Sequence, residues 1–181
     1  MKITKTGFNG LVVVQPQVFE DKRGYFFESW NKIKFEESGL GMDFLQDNQS
    51  LSGKGVLRGL HYQCPPWEQG KLVRVINGSV LDVVVDLRKS ESTFGKHFKI
   101  QLSAQKKNML WIPPGFAHGF LTLEENTLFF YKCTQVYNRE SEGCIAWNDP
   151  LLNIDWEMEN PLVSDKDSNA PGFHGFESPF A

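Results

Sequence analysis

The sequence predicts an all-β sandwich or barrel of the jelly-roll type, with a few short helices. Three observations lead there. Short apolar and β-branched runs recur along the chain with turn residues between them. Composition is turn-rich and aromatic, with 16 glycines, 9 prolines and 15 phenylalanines in 181 residues, which favours strands over a helix bundle. Only one segment reads as a helix before the tail. The length suits one domain with a sizeable core. No repeat, linker or low-complexity stretch divides the chain, so residues 1–181 are read as a single domain.

The elements follow in order. Leu11 to Val14 is an apolar run closed by Pro16, and Gly24 to Trp30 is aromatic and strand-like. Asn31 to Gly39 carries Ile33 and Phe35 among charges and stops at a glycine, which suits a short helix. Gly55 to Gln63 is a β-rich run. Lys71 to Ile76 and Ser79 to Leu87 flank Asn77-Gly78, the strongest hairpin signal in the sequence. Further strands are expected at His97 to Leu102, Met109 to Ile112, His118 to Leu123, Thr127 to Val136 and Gly143 to Trp147. From Asp149 onward Pro, Asp and Asn predict loops or short helical turns. Within Thr127 to Val136, Leu128-Phe129-Phe130-Tyr131 is apolar on both faces. A strand of that kind is buried twice, between sheets or against a second subunit, so a homodimer is expected.

Charge excludes several classes. The formal net charge is -3 and the basic residues are scattered, which argues against nucleic acid and against a basic membrane surface. The N-terminus, Met1-Lys2-Ile3-Thr4, leads into a polar segment without the apolar core of a signal peptide. No apolar run approaches the roughly 20 residues of a membrane helix. Cys64, Cys133 and Cys144 lack metal-type spacing and read as buried free thiols in a reducing compartment. The expectation is a cytoplasmic protein.

Chemistry concentrates in Gly55-Val56-Leu57-Arg58-Gly59-Leu60-His61-Tyr62-Gln63 and the following Lys71. Polar groups set among aliphatics on a strand point into a cavity or into water. An imidazole is the commonest general base near neutral pH, and a nearby ammonium or guanidinium holds a developing oxyanion. That combination suits proton abstraction beside a carbonyl. A carboxylate behind the ring would fix its tautomer, but spacing does not identify which one. Tyr131 is the candidate acid, since a phenol can deliver a proton to the face opposite a base; the alternative is a core tyrosine bonded to backbone. Asp21-Lys22-Arg23-Gly24-Tyr25-Phe26-Phe27-Glu28 mixes charge with aromatics. Arg23 suits phosphate and Phe26 suits stacking on a base, or the segment is an exposed turn into an edge strand.

His118 lies in Ile112-Pro113-Pro114-Gly115-Phe116-Ala117-His118-Gly119-Phe120, whose Pro-x-Gly-x-x-His spacing resembles the second metal motif of cupins. The first cupin motif wants His-x-His and then a glutamate. Here the positions read His61-Tyr62-Gln63, with Glu68 the only nearby acid. The metal set is therefore short of ligands, no metal is expected, and a hydrogen-bonding role for His118 is preferred. Walker-type and dinucleotide glycine loops are absent. The residues alone thus give a cofactor-free β enzyme with a His/Arg/Lys/Tyr pocket.

A further set of motifs runs in order over nearly the whole chain. It comprises Asp21-x-Arg23-Gly24-x-Phe26-x-Glu28, Gln46-Asp47-Asn48, the Gly55–Gln63 run, Gly70-Lys71-Leu72-Val73-Arg74 and Val85-Asp86-Leu87-Arg88. It continues with Ile112-Pro113-x-Gly115-Phe116-Ala117-His118-Gly119-Phe120, Tyr131-Lys132-Cys133-Thr134, Trp147-Asn148-Asp149-Pro150 and Ser164-Asp165-Lys166-Asp167. Together they resemble the dTDP-4-dehydrorhamnose 3,5-epimerase family. The resemblance implies a cupin-like jelly-roll homodimer with exchanged N-terminal strands, no metal and no cofactor. The implied substrate is a dTDP-4-keto-6-deoxysugar, epimerised at C3 and C5 on the way to dTDP-rhamnose. His61 would be the base, oriented by Asp167. Lys71 would stabilise the enolate oxygen with Arg58 nearby, and Tyr131 would return a proton. Arg23, Glu28, Gln46, Asn48, His118, Glu142 and Lys166 match positions that hold the nucleotide sugar, with Arg23 and Glu28 reaching across from the partner.

Gln49 stands where the family commonly has histidine, Cys64 where an apolar residue is common, and Gly172 to Ala181 matches no family pattern. None of these touches His61, Lys71 or Tyr131. Inversion of C3 or C5 alone, and movement of the keto group, are the alternatives within enzymes. A metal-dependent cupin, recognisable by chelator sensitivity, and a sugar-nucleotide binding module without turnover are the alternatives outside this chemistry.

Overall fold

A computed structural model describes all residues, 1–181. Its elements are β1 (Lys2–Lys5), β2 (Val12–Gln15), β3 (Phe19–Asp21), β4 (Gly24–Phe26), α1 (Lys32–Glu37), β5 (Gln46–Ser52), β6 (Leu57–Gln63) and β7 (Lys71–Asn77). They continue with β8 (Ser79–Asp86), β9 (His97–Ser103), β10 (Met109–Ile112), β11 (Phe116–Thr122), β12 (Thr127–Cys133), β13 (Glu142–Cys144) and α2 (Asp165–Ser168). A six-stranded sheet has the order β1-β2-β10-β7-β12-β5, and a five-stranded sheet the order β13-β6-β11-β8-β9. β3 and β4 form a separate ribbon. The predicted all-β jelly roll with a few short helices is the fold observed.

Apolar alternation places the core between the sheets. Val73 and Val75 of β7, Phe129 of β12 and Leu110 of β10 meet Val80 and Val84 of β8 and Phe116 and Phe120 of β11. Each such side chain contributes roughly 1.5–3 kcal/mol on leaving water. All eight residues of β8 are buried. Its other face, with Leu81, Val83 and Val85, packs against Ile145, Leu152, Trp156 and Phe180. The irregular tail is therefore the cover of the five-stranded sheet. On the six-stranded sheet, α1 and its neighbours close the outer face near β2 and β10 through Phe35, packed with Val12, Val14, Leu72, Met109 and Trp111. Asn31 caps α1, its side chain accepting from the Lys34 amide, as that residue type does at a helix start. No helix is long and apolar enough to cross a membrane.

The Asn77-Gly78 hairpin is corrected. β7 belongs to the six-stranded sheet and β8 to the five-stranded one, so the two do not pair. Gly78 instead turns the chain from one sheet to the other at φ +81°, and a Cβ there would stand 2.5 Å from Thr127 Oγ1. Turn chemistry is the same for a tight hairpin and for a sheet-switching corner; only the partners of the flanking strands distinguish them. Several bounds also move. Gly24–Trp30 is a strand only to Phe26, Thr127–Val136 stops at Cys133, and the strand expected at Gly143–Trp147 is Glu142–Cys144.

At the end of β8, Asp86 is fully buried and is held by Arg88 through Nε at 2.8 Å and Nη2 at 2.7 Å. The guanidinium lies 4.4 Å from the Phe116 ring and donates to the Asn9 carbonyl. Removing one partner strands a buried charge, which costs about 3–5 kcal/mol. Arg88→Ala should lower unfolding stability by about that amount, read from the urea midpoint. A change under about 1 kcal/mol would show the pair to be energetically neutral.

Candidate active site

A cavity of about 660 Å³ opens between the sheets. His61, Lys71, His118 and Tyr131 border it, with Asn48, Arg58 and Asp167. A second lobe of about 320 Å³ shares Asn48, His61, Lys71 and Tyr131 and adds Gln46, Tyr137 and Glu142. The volume is in the range of ligand pockets.

Strand register sets the layout. His61 of β6 and His118 of β11 are direct partners in the five-stranded sheet. Tyr131 of β12 pairs with Val73 of β7, and Cys133 with Lys71, in the six-stranded sheet. The candidate base therefore stands on one sheet, and the candidate acid and the lysine on the facing one. β6 and β11 approach closely where Gly59 meets Gly119: a Cβ on Gly59, at φ +126°, would lie 2.5 Å from the Gly119 Cα. Only glycine permits that approach, and it lies between Arg58 and His61.

The carboxylate behind His61 is Asp167. Its Oδ1 is 2.6 Å from His61 Nε2, and the Gly59 amide donates to Oδ2 at 3.4 Å. Asp167 is in the short α2, where the Ser164 hydroxyl accepts from its amide. Burial pushes the acid upward, but hydrogen bonds from His61 and its other neighbours outweigh this and hold it below the usual aspartate range. Burial pushes Tyr131 up to about 12, so the phenol keeps its proton throughout the neutral range. Burial also pulls Lys71 below its ordinary value, against the attraction of Cys133, Asp82 and Glu142.

Polar side chains line the wall around this set. Gln46 donates to Asn48 Oδ1 at 2.9 Å, and Arg58 donates to the Ser52 hydroxyl at 3.2 Å. Glu142 pairs with Lys166 at 2.6 Å and accepts from the Tyr137 hydroxyl at 3.1 Å. Burial raises the Glu142 acid, and Lys166 more than offsets that, leaving it below its usual range.

The single chain does not bring every candidate here. Arg23 pairs with Asp21 at 2.6 Å on the β3–β4 ribbon. Phe26 is 66% exposed on the same ribbon, and Glu28 is engaged by Asn31 and Lys34. None of the three borders the cavity that holds His61. Three other residues near the cavity were not anticipated. Tyr137 gives no signal in sequence, and Ser164 is visible only as a helix cap. Asp82, hydrogen-bonded to His118 at 3.0 Å, was legible as a lone acid inside an apolar strand. No group of three His, Cys, Asp or Glu side chains is arranged to hold a metal ion.

Comparisons with known proteins match nearly the whole chain. The family model described as dTDP-4-dehydrorhamnose 3,5-epimerase matches residues 5–175. A dTDP-4-dehydrorhamnose 3,5-epimerase of Shigella flexneri is 51% identical over 174 residues, covering 96% of each chain. The crystal structure of the epimerase from Elizabethkingia anophelis superposes with a TM-score of 0.92 at 49% identity, covering 97% of both chains. A Legionella pneumophila epimerase in complex with dTDP-4-keto-L-rhamnose gives 0.92 at 44% identity, covering 97% of this chain and 94% of that one. A 3'-monoepimerase of Streptomyces bikiniensis in complex with dTDP-quinovose is also similar, with a TM-score of 0.87 at 31% identity over 92% of this chain and 85% of that one.

Proposed function

The chain belongs to the dTDP-4-dehydrorhamnose 3,5-epimerase family, and from that premise we propose how its residues carry out the reaction. The protein is an isomerase that converts dTDP-4-dehydro-6-deoxy-D-glucose to dTDP-4-dehydro-L-rhamnose by inverting C3 and C5. The C4 ketone acidifies the hydrogens on both carbons. His61 takes a proton from one face of the ring, and the electron pair moves to the C4 oxygen as an enolate. Asp167 holds the imidazole and stabilises the imidazolium formed. The Lys71 ammonium, desolvated by burial, faces the enolate oxygen, where a fixed cation held out of water acts most strongly. Tyr131 then returns a proton to the opposite face, which inverts the carbon. The observation that carries this reading is that His61 and Tyr131 border one cavity from facing sheets, with Lys71 on the same sheet as Tyr131.

Gln46, Asn48, Arg58, His118, Glu142 and Lys166 hold the nucleotide sugar. Arg23, Phe26 and Glu28 reach the site from a second copy of the chain. Support for a homodimer comes from the outer face of the six-stranded sheet. Away from α1 it leaves Leu51 63% exposed and Leu128 and Phe130 only half-buried. In this chain β1 pairs with its own β2, and exchange of the N-terminal strand between subunits is part of the same proposal. The free thiols Cys64, Cys133 and Cys144 fit a reducing, cytoplasmic setting.

The test is proton NMR of dTDP-4-keto-6-deoxyglucose with the protein in heavy water. Deuterium should enter both C3 and C5 at the turnover rate. Entry at one carbon only would make the protein a mono-epimerase, and entry at neither would sink the reading. Tyr131→Phe should separate the two half-reactions. Product formation should fall about 10²–10⁴-fold, the usual worth of a general acid, while exchange at C3 falls much less. Equal loss of both would remove Tyr131 as the acid.

A further inference from the structure

His61 and His118 stand opposite one another, and each ring meets a carboxylate through Nε2: His61 with Asp167 at 2.6 Å and His118 with Asp82 at 3.0 Å. No protein group bonds the other nitrogen, Nδ1, of either ring. The two carboxylates differ in their surroundings. Asp167 Oδ2 receives the Gly59 amide in addition to the His61 contact on Oδ1, so its charge is spread over donors. Asp82 is fully buried in β8, and its Oδ1 has no partner at all.

A bare carboxylate oxygen in a dry interior is costly, and the cost falls when the group holds a proton. Burial accordingly pushes the Asp82 acid up against the pull of His118 and Lys71, whereas Asp167 is held low. Titratable groups driven apart in this way mark an acid side and a base side. The His118 ring is also fixed in place. It lies 6.1 Å from the Phe129 ring at 26°, and Phe129 stacks on Phe120 at 4.0 Å.

We propose that Asp82 is a positioning residue acting through His118: it retains a proton against Nε2, so that His118 presents an N–H at Nδ1 to the substrate in the cavity. His118–Asp82 is then a donor pair, and His61–Asp167 the base pair facing it across the strand register. The shared proton is not transferred. It stays between Asp82 and Nε2, and the Nδ1–H is a hydrogen-bond donor to a substrate oxygen, one that joins Lys71 at the developing enolate. This role rests on the epimerase reading.

The experiment pairs kinetics with ¹⁵N NMR of the histidines. Asp82→Asn, whose amide N–H can donate to Nε2 as the acid proton does, should keep near wild-type kcat. Asp82→Leu has a similar volume but no proton to give Nε2. It should lower kcat about 10–100-fold, the usual effect of a group behind a ligand-contacting histidine, with KM changed less than about threefold. In a His118→Asn background the same substitution should change kcat by less than about twofold, because residues acting through one another are not additive. In the wild-type protein, ¹⁵N shifts should show His118 Nδ1 protonated. Additive losses, an unchanged kcat in Asp82→Leu, an Asp82→Asn as slow as Asp82→Leu, or a bare Nδ1 would each overturn the role. Wild-type protein that exchanges neither C3 nor C5 would remove the epimerase reading and this role with it. Exchange by wild type with an indifferent Asp82→Leu would remove the role alone.

Discussion

His61→Ala should abolish deuterium entry at both C3 and C5 and lower kcat by about 10²–10⁴-fold, the range expected for loss of a positioned base, while the protein still folds and binds dTDP. The imidazole sits on β6 and borders the cavity, and its side chain is 30% exposed, so little core packing is lost. Asp167 loses its ring partner but keeps the Gly59 amide. Because the proposed reaction uses one base for both carbons, loss at C3 and C5 should be parallel. A variant that lost exchange at one carbon alone would show that a second base serves the other. Retention of near wild-type exchange at both would remove His61 from the reaction.

The sign of the pH response on the acid side follows from Asp167. Its acid is held below the usual aspartate range by the hydrogen bonds it accepts. A carboxylate lowered in this way contributes its hydrogen bond fully above the ordinary aspartate range, and the contribution is lost only as pH falls through the lowered value. The Asp167 carboxylate therefore keeps its charge throughout the neutral and mildly acid range.

The sequence made different parts of this picture visible to different degrees. β10 was read residue for residue as Met109–Ile112, because an apolar run between turn residues has one reading. The α1 helix was legible from Ile33 and Phe35 set among charges and from its terminal glycine. β5 was not anticipated as a strand, since Gln46-Asp47-Asn48-Gln49-Ser50 offers no hydrophobic alternation; its alternate polar side chains face a cavity rather than a core. The Asn77-Gly78 corner shows the limit of local turn chemistry, which fixes a change of direction but not the neighbour found after it. The same limit applies to the site. His61, Lys71 and Tyr131 were identifiable as reactive types in apolar strands. Their arrangement on facing sheets depends on long-range pairing. Asp167, distant in sequence from His61, was reached only through family resemblance, because no local pattern ties a four-residue helix in a loop-rich tail to a strand.

Lys71→Met should reduce kcat about 10²–10³-fold, the usual consequence of removing a group that meets a developing oxyanion, with a smaller effect on dTDP affinity. The pH profile distinguishes this role from a packing role. Burial pulls the Lys71 ammonium below its ordinary value of 10.5. Activity that needs the cation is present below that lowered pKa and lost as pH rises through it. Tyr131, pushed up to about 12, remains a phenol over the same interval, so the first alkaline break in kcat/KM belongs to Lys71. Lys71→Arg supplies a cation that does not titrate there. It should retain more activity than Lys71→Met and move the alkaline break upward. If the break stays in place in Lys71→Arg, another group governs the alkaline limb. If Lys71→Met matches Lys71→Arg in rate, the positive charge is not what the enolate requires.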